Sequence, residues 1–467
     1  MNYEMLIRKL KRRKLLLTIS REVQNKPFEV WLVGGNVRDT FLGIPSKDYD
    51  IVITGDAKLF SRSLANKLNA HIFYLDKEKG EQRIVLKGQT TIDIKPIVDI
   101  EDDAAERDFT INAIAFNLNN LKTLYDPFNG IKDLNKKVLK PINNRIFKDD
   151  PLRLLRLFRL AAVLNLSVSN KVLTLAKEFA AEIDSAASER IKSELFLLFG
   201  VEKSYKYLKM MDKTKLLKFL FPEVEKGKKI PQKKYRSKNL KEHSLVCYDI
   251  MEKIIDKKKY LVFPDSITHF EHFVKKHLAV LKLSALLHDI GKLWTMKKNT
   301  EGSVHFYMHE RKGENRLKNY YQKRLSLSNK EVEILSVLIL HHMRAHLLSR
   351  VKKITNHALY RFVKDGGNAI PGILLLSYAD SISSCGGGAE VRKMEKTIKT
   401  IMNYYITAKK ITTKKRLITG DDLIENFELV PGPNFKRILN TVEKAQIEGR
   451  IRNRREALLL VKKLFVS

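Results

Sequence analysis

Val30-Trp31-Leu32-Val33-Gly34-Gly35-Asn36-Val37-Arg38-Asp39, followed by Asp48-Tyr49-Asp50-Ile51-Val52-Ile53, decides how the first part of this chain folds. An extended apolar run (Val30, Leu32, Val33) stops at two glycines, where the missing Cβ lets backbone approach a phosphate closely. Asn36 to Leu42 has helical character, and a second apolar run carries two aspartates. Side chains alternate along a strand, so Asp48 and Asp50 point to one face. Two ionised carboxylates held together repel unless a cation lies between them, and hard divalent cations prefer such oxygens. Phosphate-admitting glycines beside a metal-holding carboxylate pair predict nucleotidyl transfer.

The bulk properties agree. The chain has 467 residues, enough for roughly two to four domains, and a formal net charge of +35 from 88 Lys/Arg against 53 Asp/Glu. Such a field attracts polyanions, RNA above all. The excess is partly local: Glu202 to Lys241 holds 14 Lys/Arg against 4 Asp/Glu. The two cysteines, Cys247 and Cys385, have no paired spacing, which excludes a disulfide scaffold and a cysteine-built zinc site. No segment resembles a signal peptide and no apolar stretch reaches bilayer-spanning length, so a soluble cytoplasmic protein without membrane contact is expected.

Short apolar runs alternate with turn residues from Phe28 to about Leu139: Asp48–Ile53, His71–Leu75, Arg83–Leu86 and Thr91–Ile97. Ala57 to Leu68 is helical in pattern, so this part is an α/β domain. From Asp149 onward strand signals vanish and Leu, Ala, Lys and Arg recur at helical spacing. The basic, proline-containing stretch from Glu225 to Lys238 reads as a linker, and Gly386-Gly387-Gly388 as a loop.

Further residues extend the chemistry. Asp93, on a later strand, is a candidate third carboxylate. Arg107-Asp108-Phe109-Thr110-Ile111-Asn112 offers a phosphate-binding guanidinium in Arg107, while Asp108 and Asn112 can bond ribose hydroxyls. Asp149-Asp150-Pro151-Leu152-Arg153-Leu154-Leu155-Arg156 opens a helix on acids and a proline. Asp150 and Arg153, three apart, are expected on one helical face. An acceptor beside a guanidinium donor matches the base edges of cytosine and adenine, and not those of guanine and uracil. An intrahelical salt bridge is the alternative for that pair.

These motifs, with Asp126-Pro127-Phe128-Asn129-Gly130 and Ser188-Glu189-Arg190-Ile191-Lys192-Ser193-Glu194-Leu195, resemble the class II tRNA nucleotidyltransferase and bacterial poly(A) polymerase family, in the family's order over most of residues 28 to 200. The resemblance implies a polymerase-β-like α/β head followed by an all-α neck, body and tail. It implies transfer of CMP and/or AMP from CTP and ATP to a tRNA 3′ end without a nucleic-acid template. By that resemblance Asp48 and Asp50 are catalytic and hold Mg2+, and Gly34, Gly35 and Arg38 touch triphosphate. Arg107, Asp108 and Asn112 serve the ribose, and Asp150 and Arg153, with Arg156, read the base. Two departures stand out. Glu106 occupies a position where the family usually has arginine. Only about ten residues, Val98 to Arg107, lie where many CCA-adding members have a flexible loop of a dozen or more, a loop that CC-adding members lack.

Histidines mark the helical half: His243, then His288-Asp289 in Leu283-Ser284-Ala285-Leu286-Leu287-His288-Asp289-Ile290-Gly291-Lys292, then His309, His341-His342 and Asp380. Histidine and carboxylate on buried helical faces suit a divalent metal. The order resembles the HD metal-dependent phosphohydrolase superfamily. That resemblance makes His243, His288, Asp289 and Asp380 ligands, with His309 and His341 completing a fuller site whose metal is unidentified. It implies hydrolysis of phosphomonoesters or 2′,3′-cyclic phosphates. His269, His272, His277, His305, His346 and His357 read as surface or helical residues, and Arg450, Arg452, Arg454 and Arg455 as a basic strip suited to RNA phosphates or a solvated helix face.

The expected domains are a basic helix at 1–27, the head at 28–140, a helical neck at 141–225, a basic linker at 226–241, the HD domain at 242–390 and a helical tail at 391–467. The expected partners are the tRNA 3′ end, CTP and ATP, with no obligate protein partner. A poly(A) polymerase, a CC-only enzyme and a non-catalytic RNA-binding protein are the alternatives.

Overall fold

The alternating stretch around Asp48 builds the strand that organises the head. In the computed structural model, which describes residues 3–234, 236–256, 263–300, 303–412 and 417–465, seven strands form one sheet. They are β1 (Val30–Val33), β2 (Asp48–Ile53), β3 (His71–Asp76), β4 (Glu81–Leu86), β5 (Thr90–Pro96), β6 (Ala115–Asn117) and β7 (Leu124–Tyr125). Their order is β3-β4-β5-β2-β1-β6-β7, with β2 and β5 parallel and the other pairs antiparallel. The expected N-terminal helix, linker, HD domain and tail each include positions outside the described residues: 1–2, 235, 257–262, 301–302 and 466–467, with 413–416 also in the tail.

The chain divides into two compact units, Met1–Glu194 with Lys206–Leu220, and Leu195–Tyr205 with Phe221–Ser467. In the first, pleating puts Trp31, Val33 and Val52 on the face that also carries Asp48 and Asp50, and Ile100 and Ala115 pack with them. The opposite face buries Leu32, Ile51, Ile53, Ile92 and Ile94. The Ala57–Leu68 helix starts where Asp56 accepts from the Leu59 amide, satisfying one of the donors a helix start leaves open. The Arg153–Val163 helix buries Leu154, Leu157, Phe158 and Ala161, a stripe at helical spacing.

Two expectations are corrected in this unit. The single basic N-terminal helix is two, Tyr3–Lys11 and Lys14–Val23, because Arg13 adopts extended backbone between them. Asp150 is not on the helix that carries Arg153; it has extended backbone (φ −142°, ψ 100°), and the helix begins at Arg153. Proline disfavours helical backbone in the residue before it, so Pro151 keeps Asp150 outside.

In the second unit the helices Leu240–Asp256, Ile267–Leu287, Asn329–Ser349 and Ile370–Cys385 pack around a common core, with nearly every residue of Ile370–Cys385 buried. The basic stretch expected as a linker is folded. Pro231–Lys234 pairs antiparallel with Ser237–Asn239, and Gln232, Ser237 and Lys241 are buried. Lysines and a proline read as loop by composition, whereas cross-strand pairing is a tertiary property. The helices Gly420–Phe427, Pro433–Ile447 and Arg454–Phe465 close a smaller core of Ile418, Leu423, Ile438, Val442 and Val461.

Candidate active sites

The head site grows from strand register. Asp50 lies opposite Val33 on β1 and Asp93 on β5, and Asp48 opposite Thr91, so three carboxylates share one face. Thr91 Oγ1 donates to Asp48 Oδ1 at 2.7 Å, and Arg83 grips Asp93 through two bonds of 2.6 Å. Burial pushes the Asp50 carboxyl up, Asp93 and Asp48 add to the shift, and the Arg107 guanidinium opposes it. A carboxylate that resists ionisation beside two others is a set completed by a hard cation, and the oxygen donors fit Mg2+.

Gly34 sits at φ +71°, a conformation L side chains rarely adopt, and a Cβ there would lie 2.9 Å from Arg107 Nη1 and 3.2 Å from Asp50 Oδ2. The turn can therefore pass beside the carboxylate only as glycine. Arg107 is held by Asp103 at 2.6 Å. Arg38 Nη1 donates to Asn112 Oδ1 at 2.5 Å, Asn112 Nδ2 donates to Asp108 Oδ1 at 2.8 Å, and Arg156 Nε reaches Asp108 Oδ2 at 2.6 Å. Residues expected to serve triphosphate, ribose and base thus form one connected network, beginning beside Gly35, whose Cβ would lie 3.2 Å from Arg38 Nη2.

The side chains of Asp150 and Arg153 take different partners, although the Arg153 amide donates to the Asp150 carbonyl at 3.0 Å. Asp150 Oδ2 accepts from Arg190 at 2.8 Å, and Arg153 Nη2 donates to the Glu106 carbonyl at 2.7 Å. The departure at Glu106 therefore contributes a backbone acceptor, while its side chain is exposed. The short segment before Arg107 is the Ile100–Glu106 helix, capped by Asp99 accepting from the Asp102 amide at 2.8 Å.

The second site brings five helices and a hairpin together around Asp289, His309 standing at the start of the His309–Arg316 helix. His309 Nε2 lies 3.1 Å and His342 Nε2 3.6 Å from Asp289 Oδ1; His243 and His288 Nε2 each lie 3.4 Å from Asp289 Oδ2. Asp380 Oδ1 is 3.1 Å from His243 Nε2, and Asp380 Oδ2 is 3.0 Å from His346 Nε2. His288, His309 and His342 each donate Nδ1–H to the carbonyl three residues back, Ala285, Phe306 and Ile339, at 3.1, 2.9 and 2.6 Å. That fixes the tautomer and aims each Nε2 lone pair at the cluster. Gly291 permits the approach: a Cβ there would lie 1.9 Å from the His309 carbonyl.

His288 Nε2 and Asp289 Oδ1 are buried without a hydrogen bond among the described residues, and two sets of three groups, His243-His288-Asp380 and His288-Asp289-His342, have ligand atoms within 4.8 Å of one another. The donor set fits a divalent metal. Although burial opposes ionisation, Lys292, 2.5 Å away, and the facing histidines hold Asp289 well below the usual carboxylate range. Burial pushes His342 down to about 4, keeping it neutral and able to donate a lone pair. A cavity of about 670 Å3 opens onto the cluster between Lys234, Lys292, His309, Arg350 and Asp380.

The expected ligand His341 is outside this cluster, and His342 is inside. His341 faces a neighbouring cavity, its Nδ1 3.3 Å from Arg344 Nη1. The buried positions Val332, Leu335, Ile339, His342 and Ala345 set the helix phase, a periodicity already present in the sequence. His346, read as a surface or helical residue with no part in the site, is on that helix and shares the face one turn on. Lys234, expected in a linker, places Nζ 3.1 Å from His243 Nε2, and no sequence pattern pointed to it. In the basic strip of the tail, Arg450 pairs with Glu448 at 2.7 Å and Arg454 with Asp422.

Comparison with known proteins agrees with this architecture. The family model of the poly A polymerase head domain matches residues 30–97 and 93–140, the RNA- and SrmB-binding site of polymerase A matches 165–227, the HD domain matches 240–384, and tRNA nucleotidyltransferase domain 2 matches 372–461. A CC-adding tRNA nucleotidyltransferase of Synechocystis is 27% identical over 94% of both chains. An A-adding tRNA nucleotidyltransferase of Deinococcus radiodurans is 27% identical over 92% of this chain and 94% of its own. The fold matches a Thermotoga maritima CCA-adding enzyme solved in complex with tRNA, with a TM-score of 0.69 and 21% identity, over 99% of this chain and 98% of that one. No helix among the described residues is long and apolar enough to cross a membrane. Head, neck and HD motifs in this order place the chain in the class II tRNA nucleotidyltransferase and poly(A) polymerase family, as a member carrying an HD domain.

Proposed function

We propose that this chain transfers CMP and/or AMP from CTP and ATP to the 3′ end of tRNA without a template, in the cytoplasm where tRNA ends are made and repaired. The register that gathers Asp48, Asp50 and Asp93 beside Gly34 carries the reading. Asp48 and Asp50 hold Mg2+, with Asp93 as a third carboxylate steadied by Arg83. The cation, when bound, neutralises triphosphate charge and lowers the pKa of the attacking hydroxyl. Gly34, Gly35, Arg38 and Arg107 take the phosphates. Asp108 and Asn112 orient the ribose, and Asp150, Arg153 and Arg156 select the base by accepting from an amino group and donating to a ring acceptor. Arg190 must release Asp150 for that step.

A second reading, addition of C only, is favoured by the capped Ile100–Glu106 helix standing where CCA-adding members have a flexible loop. Incubating the protein with tRNA ending at the discriminator base, tRNA ending in CC, or a poly(A) primer, each with labelled CTP or ATP, tests both. Incorporation of the terminal A refutes the C-only reading. Extension of the poly(A) primer with tRNA ignored refutes both and supports a poly(A) polymerase. No incorporation leaves a non-catalytic RNA-binding protein.

The helical site is assigned metal-dependent hydrolysis of a phosphate ester, with His243, His288, Asp289, His309, His342 and Asp380 holding the metal and Lys234, Lys292 and Arg350 placed to meet the phosphate. Replacing His288 and Asp289 with Ala should abolish metal-stimulated phosphatase activity and spare nucleotide addition. Unchanged phosphatase activity would refute the assignment.

A further inference from the structure

The Ile267–Leu287 helix carries His269, His272, Phe273, Lys276 and His277 at spacings i, i+3, i+4, i+7 and i+8. Those positions share one helical face, the stripe that is ordinarily apolar when a helix packs against a neighbour. Here the stripe lines a cavity of about 500 Å3 that includes none of the metal-type cluster residues, and its far wall supplies Asn368, Tyr405 and Lys409. None of the described lining residues is acidic. His277 leaves helical backbone (φ −132°, ψ 23°), with its ring 4.9 Å from Phe273, and His269 lies 5.7 Å from the Tyr405 ring.

Two ammonium groups share one opening with three imidazoles and no carboxylate among the described lining residues, and the repulsion between the ammonium groups is unfavourable. His269 Nδ1 is buried there without a hydrogen-bond partner among the described residues. Burial lowers the proton affinity of His269 and His277, and the adjacent cations lower it further: Lys409 and His272 act on the first, Lys276 and His272 on the second. An anion accepting from imidazole N–H, ammonium and the Asn368 amide removes the repulsion and supplies the missing partner. His272 and Lys276 are exposed, so the anion can belong to a large molecule.

We infer that this carboxylate-free pocket is a phosphate site that takes a backbone phosphodiester of the RNA substrate, held by His272, Lys276 and Lys409 and capped by His269, His277 and Asn368. This rests on the reading of the chain as an RNA-directed enzyme. The site fixes the body of the RNA while the head works on its end, so it contributes to binding and not to chemistry.

The test compares the full chain with its Lys276→Gln/Lys409→Gln variant and with a Lys396→Gln/Lys399→Gln variant that removes equal charge from another exposed helix surface. Binding of a tRNA lacking its terminal nucleotides is measured from low to moderate salt. The pocket variant should bind roughly tenfold more weakly, with its log–log salt slope reduced by about one, since each phosphate contact contributes about 0.7–0.9. KM for CTP should be unchanged. Equal losses in the two variants, or none in the pocket variant, would overturn the site. A second measurement needs no variant: the imidazole resonances of His272 and His277 in the unaltered protein should shift with a short RNA at concentrations where inorganic phosphate does nothing. Shifts with inorganic phosphate alone would overturn the RNA assignment. Failure of the unaltered protein to transfer any nucleotide counts against the proposed function instead, because neither binding readout depends on transfer.

Discussion

Arg13 donates to Asn36 Oδ1 at 2.5 Å, and Asn36 Nδ2 in turn donates to the Asp48 carbonyl at 2.7 Å. Arg13 also bonds Thr40 Oγ1 at 2.9 Å and the Ser46 carbonyl at 3.2 Å, and its guanidinium lies 4.9 Å from the Tyr49 ring centroid. An N-terminal residue outside every recognised motif thus braces the strand that presents the aspartate pair. Charge-assisted hydrogen bonds contribute about 1.5–3 kcal/mol. Arg13→Gln should lower Tm by several degrees and raise the Mg2+ concentration needed for half-maximal transfer, read from a Mg2+ titration of initial rate. An unchanged requirement would show that the brace stabilises the fold alone.

Asp50→Asn should abolish transfer while stabilising the metal-free protein at alkaline pH. The raised folded-state carboxyl keeps its proton to higher pH than the unfolded chain does. Asp50 therefore costs nothing below its ordinary titration range, and its penalty grows as pH rises through the raised value. The variant's Tm profile should lack that decline. Adding Mg2+ should raise the Tm of the unaltered protein more than that of the variant.

Gly34→Ala should be harsher than its size suggests. The positive φ and the close approach to Arg107 act together, costing roughly 1–3 kcal/mol of backbone strain. Transfer should fall at least tenfold, with the melting transition shifted downward. A variant with normal kinetics would mean that the turn relaxes without moving Asp50.

His341→Ala and His342→Ala should behave differently despite adjacency. Only His342 turns its Nε2 to Asp289. Metal content by elemental analysis should fall in His342→Ala and hold in His341→Ala. The reverse result would require the helix to be rotated by one residue.

Much of the head was legible because its signals are local. Glycines at a strand end, alternating aspartates and an acid-and-proline helix start act over a few residues, where backbone sterics and pleat dictate direction. The partners were not legible. Arg83 on Asp93 and Arg190 on Asp150 join residues 10 and 40 positions apart. The sequence reading takes His341 as the ligand, and the helix phase that burial requires puts His342 there instead.

The sequence by itself determined the order of the chemistry-bearing motifs, the sign and strength of the chain's charge, and the family to which both belong, since these depend on residue identity and short-range periodicity. Only the tertiary structure decided which groups meet: Asp93 beside Asp50, Lys234 against His243, and the Asp150 side chain with that of Arg190 and not that of Arg153. Those meetings depend on strand register and helix phase, which are set by how whole elements bury their apolar faces, and no stretch of a few residues encodes them.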